Sequence, residues 1–151
     1  MLLGLGNECR IWLHVLQVCV QLSLCFKSPL KIISSYHVLI CARHGFVLSC
    51  GKDSSVKLWD IGTGRLVKQY LGATHTQLRF QAVFNDTEEF VLSIDEPSNE
   101  IIIWDALTAE IVAKWPSNHV GTPRWIEHSP TEPAFISCGT DRSVRFWKET
   151  L

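Results

Sequence analysis

The sequence predicts an all-β chain: a fragment of a β-propeller, with about three blades of antiparallel four-stranded sheet and an incomplete ring. Three observations carry that prediction. The first is a hairpin unit near the end, Phe135-Ile-Ser-Cys-Gly-Thr-Asp-Arg-Ser-Val-Arg-Phe-Trp147, in which two alternating apolar runs flank a polar turn holding Gly139 and Asp141. Strict alternation on both sides of a short turn is the pattern of a β-hairpin with one buried face. The second is recurrence. Ser49 to Trp59 repeats the unit position for position, and Phe90-Val-Leu-Ser-Ile leads in the same way to Ile101-Ile-Ile-Trp104. The third is the period, 45 residues from Trp59 to Trp104 and 43 from Trp104 to Trp147.

A period of about 40–45 residues whose strand closes on Trp-Asp marks the WD type of propeller repeat. Trp59-Asp60 and Trp104-Asp105 keep the pair, and the last unit has Trp147-Lys148. In chain order, Phe46–Cys50 and Val56–Asp60 form the first hairpin, Ile61 to Gly64 is a turn, and Arg65–Leu71 is a third strand. The second repeat supplies four strands: Gln77–Phe84, Phe90–Ile94, Ile101–Asp105 and Glu110–Trp115. Its hairpin loop is one residue longer than in the sister units. The third has Arg124–His128, a proline-bounded turn through Pro133, and the closing hairpin. The blades are thus expected at about 46–71, 77–115 and 119–151, with 1–45 a non-repeat segment that is not native to the fold. Lys31–Ile33 and His37–Cys41 are short strand candidates within it. Since each blade buries its faces against neighbours, three blades are expected to be part of a larger ring, and to fold poorly alone.

Composition narrows the function classes. With 46% hydrophobic and 19% charged residues the chain is globular in type. Residues 1–45 carry a net +3 and residues 46–151 a net −4, so the repeats lack the basic footprint of a nucleic-acid binder. The apolar run from Ile11 to Phe26 is interrupted by His14, Gln17, Gln21 and Ser23, too short and too polar for a membrane span. Arg10 precedes it as in a signal peptide, but no small-residue cleavage site follows. The six cysteines form no CxxC pair, so no metal site is expected. Cys50 and Cys138 hold the same repeat position and read as small buried residues of a reducing compartment. Gly62-Thr63-Gly64 lacks the spacing and lysine of a phosphate loop, and no cofactor is expected.

WD blades commonly carry a buried chain of His, Ser or Thr, Asp and Trp, tolerable inside a protein only when each polar group is paired. The third unit has all four as His119, Ser137, Asp141 and Trp147. The first has Ser49, Asp53 and Trp59, with His37 a weak fourth member. The second has Ser93 and Trp104 with His75, but Pro97 stands where the Asp belongs, so its chain is expected to be incomplete. Ser, His and Asp also make a hydrolase trio, but a nucleophile must be exposed beside an oxyanion hole. Ser137 lies within an apolar strand and its partners recur as repeat features, so no catalytic residue is assigned. Glu88-Glu89 and Asp95-Glu96 read as solvent turns.

Beyond the repeat, four stretches are more specific: Gln81 to Glu96, Trp115-Pro-Ser-Asn-His119, Pro123 to Pro130 and Asp141 to Lys148. Through them residues 46–151 resemble the C-terminal part of the fifty-kilodalton subunits of cleavage stimulation factor, most like the plant forms. It implies a nuclear, non-enzymatic scaffold in pre-mRNA 3′-end cleavage and polyadenylation, docking the helical-repeat subunit and leaving RNA to another subunit. Set against the resemblance, this sequence is expected to lack the family's dimerisation domain and first blades. Lys52, Arg124, Trp125 and Arg142, on or near hairpin loops of one rim, are the expected partner surface. A generic WD adaptor in ubiquitin ligation or signalling, or a truncated product without function, are the alternatives.

Overall fold

The computed structural model describes residues 45–76, 80–129 and 131–148. The strand candidates at 31–33 and 37–41, and His37 with them, lie outside these residues. Ten antiparallel strands make three sheets, and no helix occurs among the described residues. Blade 1 is β1 (Phe46–Cys50), β2 (Val56–Asp60) and β3 (Leu66–Tyr70), in that order. Blade 2 is β4 (Val83–Phe84), β5 (Phe90–Asp95), β6 (Glu100–Asp105) and β7 (Ile111–Pro116). Blade 3 is β8 (Pro123–His128), β9 (Ala134–Gly139) and β10 (Val144–Lys148).

The turn residues explain why the strands end where they do. In the three hairpins β1–β2, β5–β6 and β9–β10, the residue two before the second alternating run takes a left-handed conformation: Ser54 (φ 57°), Asn99 (φ 56°) and Arg142 (φ 60°). The extra residue of the second hairpin is absorbed into the ladder, which extends to an Asp95–Glu100 pair. The Asp of each Trp-Asp pair ties the next turn. Asp60 accepts from the Thr63 amide at 2.7 Å and its hydroxyl at 3.0 Å, and Asp105 accepts from the amides of Leu107 and Thr108 at 2.9 and 2.7 Å. These donors hold both carboxyls below the usual range.

One expected strand is shorter than its sequence pattern. Of Gln77–Phe84 only Val83–Phe84 is strand among the described residues. Ahead of it the Ser93 hydroxyl takes the Gln81 carbonyl at 2.8 Å, and the buried Gln81 amide reaches the Ile126 carbonyl of blade 3. Side-chain bonds therefore replace ladder bonds at this point.

Because side chains alternate across a strand, each blade sends one set of residues to each neighbour. Leu48, Cys50, Val56, Leu58 and Tyr70 of blade 1 meet Ala82, Phe84, Val91, Ile102 and Trp104 of blade 2. The other face of blade 2, Leu92, Ile94, Ile101 and Ile103, meets Ile126 and Phe135 of blade 3, with Trp147 packed alongside. Tyr70 reinforces the first boundary, its ring 6.1 Å from that of Trp104 and its hydroxyl donating to the Ala106 carbonyl at 2.9 Å. Burial pushes the Tyr70 hydroxyl up to about 12 and the Cys50 thiol likewise to about 12. Cys138, expected to be buried like Cys50, is only half-buried, because no described blade covers the far face of blade 3.

Candidate functional site

In blade 3 the four polar residues meet. The Trp147 indole Nε1–H donates to Ser137 Oγ at 3.0 Å, and Ser137 Oγ lies 2.9 Å from His119 Nε2. His119 Nδ1 lies 3.0 and 3.1 Å from the two carboxylate oxygens of Asp141. A carboxylate only accepts, so Nδ1 carries a proton. With the ring neutral, Nε2 accepts the Ser137 hydroxyl proton and every group in the chain is satisfied. Asp141 also accepts from the Val120 amide at 3.0 Å and from the Ser143 amide and hydroxyl at 3.1 and 2.8 Å. Burial alone would raise its carboxyl, but the Ser143, His119 and Val120 hydrogen bonds outweigh that and hold it far below the usual carboxylate range. Ser137 is fully buried, its hydroxyl taken up at both ends. The trio and Trp147 are thus joined in one hydrogen-bonded chain whose serine hydroxyl is shut off from solvent.

Gly139 makes this arrangement fit. A Cβ there would lie 2.6 Å from His119 Nδ1 and 2.7 Å from Asp141 Oδ1, so any side chain would displace the imidazole. The position aligns with Gly51 in blade 1 and with Asp95 in blade 2.

The other blades hold parts of the chain. In blade 1, Trp59 Nε1 donates to Ser49 Oγ at 2.8 Å, while Asp53 accepts from Ser55 at 2.9 Å and from Lys57 at 2.6 Å. In blade 2, Ser93 and Trp104 do not meet, in contrast to their expected pairing. Ser93 is drawn to the Gln81 carbonyl, and the Trp104 indole crosses to the Leu71 carbonyl at 2.8 Å. His75 Nε2 bonds the Ile94 carbonyl at 2.7 Å, and its buried Nδ1 has no partner among the described residues. Burial holds the His75 ring below the usual imidazole range. Two carboxylates tie the blade 2 hairpin in place of the missing Asp: Asp95 accepts the Thr74 amide at 2.7 Å and the Ser98 hydroxyl at 2.6 Å, and Glu96 accepts the Thr76 amide, the counterpart of the Val120 amide, at 2.6 Å. Asp95 is the member that motif reading misses. Its signal is a carboxylate in the glycine position, two residues ahead of the proline that displaced the expected Asp.

These chains brace the hairpins that form one rim. Lys52 and Arg142 lie exposed on the β1–β2 and β9–β10 turns. Arg124 is exposed where the β8–β9 register slips between Pro123 and Trp125, so it stands out as a bulge, while Trp125 is half-buried. Val120, which motif reading did not single out, is 92% exposed on the same rim. Among the described residues no group of His, Cys, Asp and Glu could hold a metal ion.

Comparison with known proteins agrees with this geometry. The family description of the WD domain, G-beta repeat, matches residues 27–60 and 114–148. The chain carries WD40 repeats. The first match begins ahead of Phe46, and blade 2, whose hairpin lacks the Gly and Asp of its sisters, falls largely between the two. Cleavage stimulation factor subunit 50 of Arabidopsis thaliana is 71% identical over 62 residues, 41% of this chain and 14% of that protein. GID complex subunit 7 of Schizosaccharomyces pombe is 33% identical over 92 residues, 60% of this chain and 18% of that protein. Human pre-mRNA-processing factor 17 is 29% identical over 105 residues, 67% of this chain and 17% of that protein. The chain therefore spans less than a fifth of the length of each of these three relatives.

Proposed function

We propose that this chain is a non-enzymatic protein–protein interaction scaffold of pre-mRNA 3′-end processing, acting in the nucleus as part of a cleavage stimulation factor subunit. The identity of 71% over 62 residues to the Arabidopsis subunit is the observation that carries the reading. It exceeds the 33% of GID complex subunit 7 and the 29% of pre-mRNA-processing factor 17, the second of which also points to mRNA processing. Ser137, the residue that would be the nucleophile of a hydrolase trio with His119 and Asp141, is fully buried and accepts the Trp147 indole proton, which favours a scaffold over an enzyme. Its mechanism is surface complementarity: a stiff framework presents rim loops to partners, among them the other subunits of the factor. Lys52, Arg124, Trp125 and Arg142 belong to this partner surface, and RNA is left to other subunits.

The test is affinity purification of the tagged chain from plant nuclear extract, with co-purifying proteins identified by mass spectrometry. Recovery of 3′-processing subunits is the expected result. Recovery of ubiquitin-ligase components in their place would assign the chain to a generic WD adaptor.

A further inference from the structure

The rims of blades 2 and 3 are built from equivalent residues and have opposite charge. In blade 2 the rim carboxylates are consumed internally: Asp95 holds the Thr74 amide and Ser98, and Glu96 accepts the Thr76 amide at 2.6 Å. In blade 3, position for position, Val120 replaces Thr76, Arg142 replaces Asn99 and Arg124 replaces the buried Phe80. Among the described residues neither guanidinium has a carboxylate within ion-pair reach. Asp141, beside Arg142 on the blade 3 hairpin, has its oxygens taken by His119, Ser143 and the Val120 amide.

These side chains stand on one stiff platform. The Val120 amide is bonded to Asp141, the residue before Arg142, and the Thr140 amide donates to the Thr122 carbonyl at 3.0 Å. Gly121 packs against Thr140 and the Asp141 amide so closely that a Cβ there would meet the Thr140 hydroxyl at 2.3 Å. The loop before β8 and the β9–β10 turn thus hold each other, and the 92% exposed Val120 is presented by fixed backbone. A fixed apolar projection flanked by two unpaired cations, on repeats with net charge −4, complements one kind of ligand.

We propose that Val120, Arg124 and Arg142 form a docking site for an acidic peptide segment that carries an apolar side chain. Apolar contact is made at Val120, and carboxylates pair with the two guanidiniums, whose planar forks suit them. A nucleic-acid strand fits less well, since its phosphates would run on past Glu96 of the neighbouring rim. The proposal rests on the scaffold reading but not on the identity of the complex.

The experiment is fluorescence anisotropy of a fluorescein-labelled Asp-Glu-Leu-Asp-Glu-Leu-Asp peptide titrated with the full chain at low salt. Saturable binding is expected, weakened about tenfold or more by Arg124→Glu or Arg142→Glu and several-fold by Val120→Ser. Replacing both Leu of the peptide by Ser should weaken it several-fold as well. All three substituted side chains are exposed, and circular dichroism of each variant checks that it is folded. Absence of binding, or binding indifferent to both arginine variants, overturns the proposal. Arginine-dependent binding of labelled oligo(U) tighter than that of the peptide also overturns it, in favour of RNA. If the peptide binds as expected while the chain purifies without 3′-processing subunits, this site stands and the proposed complex falls.

Discussion

Blades 2 and 3 start from the same hairpin unit and are held together in different ways. Blade 2 has lost the Ser–His–Asp chain, yet its Ile94, Ile101, Ile102 and Trp104 are all fully buried between two neighbouring sheets. Blade 3 keeps the whole polar chain, and its outward residues Ile136, Val144 and Phe146 are 37%, 66% and 67% exposed. The aligned residues in blade 1 are Leu48, Val56 and Leu58, at 1%, 0% and 8%, so the difference lies in coverage and not in pattern. The polar chain is therefore not a requirement of the blade. It braces the rim hairpin, while apolar burial between sheets holds the blade itself.

The largest test of this contrast replaces each of the two tryptophans by alanine. Trp104→Ala removes a fully buried ring in contact with Tyr70 and leaves the Leu71 carbonyl without its donor. The expected loss is about 3–5 kcal/mol, read by urea denaturation. Trp147 is half-buried, stacked on Phe135 at 5.6 Å, and Trp147→Ala should cost roughly half as much. Equal losses would mean that the indole–serine bond matters as much as burial.

Next in size is Gly139→Ala, which drives a methyl group into His119 Nδ1. A cost of about 1–3 kcal/mol is expected from overpacking and from the broken chain. The His119 ring resonances should shift in NMR spectra while those of His75 stay in place. No shift at His119 would show that the ring can move aside and that glycine is not needed there.

How far the sequence foretold this follows from the same residues. Strand positions were legible because alternation and the Trp spacing are set by the two-residue period of a half-buried strand. The polar chain of blade 3 was legible because four residue types recur at fixed offsets. In blade 2 the motif misled, since Ser93 and Trp104 are present but bonded elsewhere. Motif reading registers which side chains are there. It does not register that Asp95 in a glycine position bars the imidazole, or that Gln81 pulls Ser93 away. The half-exposure of Cys138 was also not legible, because it depends on whether a neighbouring sheet is present.

A pH titration separates the two blades in another way. The Asp141 carboxyl is held below its usual range, so it contributes stability that is fully present above the unfolded value of about 3.9. That contribution falls away as pH drops from there through the depressed folded value. Asp141→Asn should lower stability at pH 7 and flatten the acid limb of a stability–pH curve measured by urea denaturation. An unchanged slope below about pH 4 would remove Asp141 from the linkage.

The smallest effect sharpens the comparison at the outer turns. The β2–β3 turn of blade 1 places Gly64 at φ 69°, and the β6–β7 turn of blade 2 places Ala109 at φ 64°. Both turns are tied by the Asp of the Trp-Asp pair, and the Gly64 and Ala109 amides bond the Asp60 and Asp105 carbonyls at 2.8 and 2.9 Å. The geometry is thus shared, and only Ala109 carries a Cβ in the left-handed region, where it meets the carbonyl oxygen that follows it. Ala109→Gly should therefore stabilise the chain, by no more than about 1 kcal/mol, because glycine also loses more freedom on folding. Gly64→Ala should destabilise it by a similar amount, and urea denaturation of the pair measures both. A loss of stability in Ala109→Gly would mean that the packing of this methyl group against the core shared by blades 1 and 2 outweighs the backbone strain. Apolar contact would then decide the turn as well as the sheet.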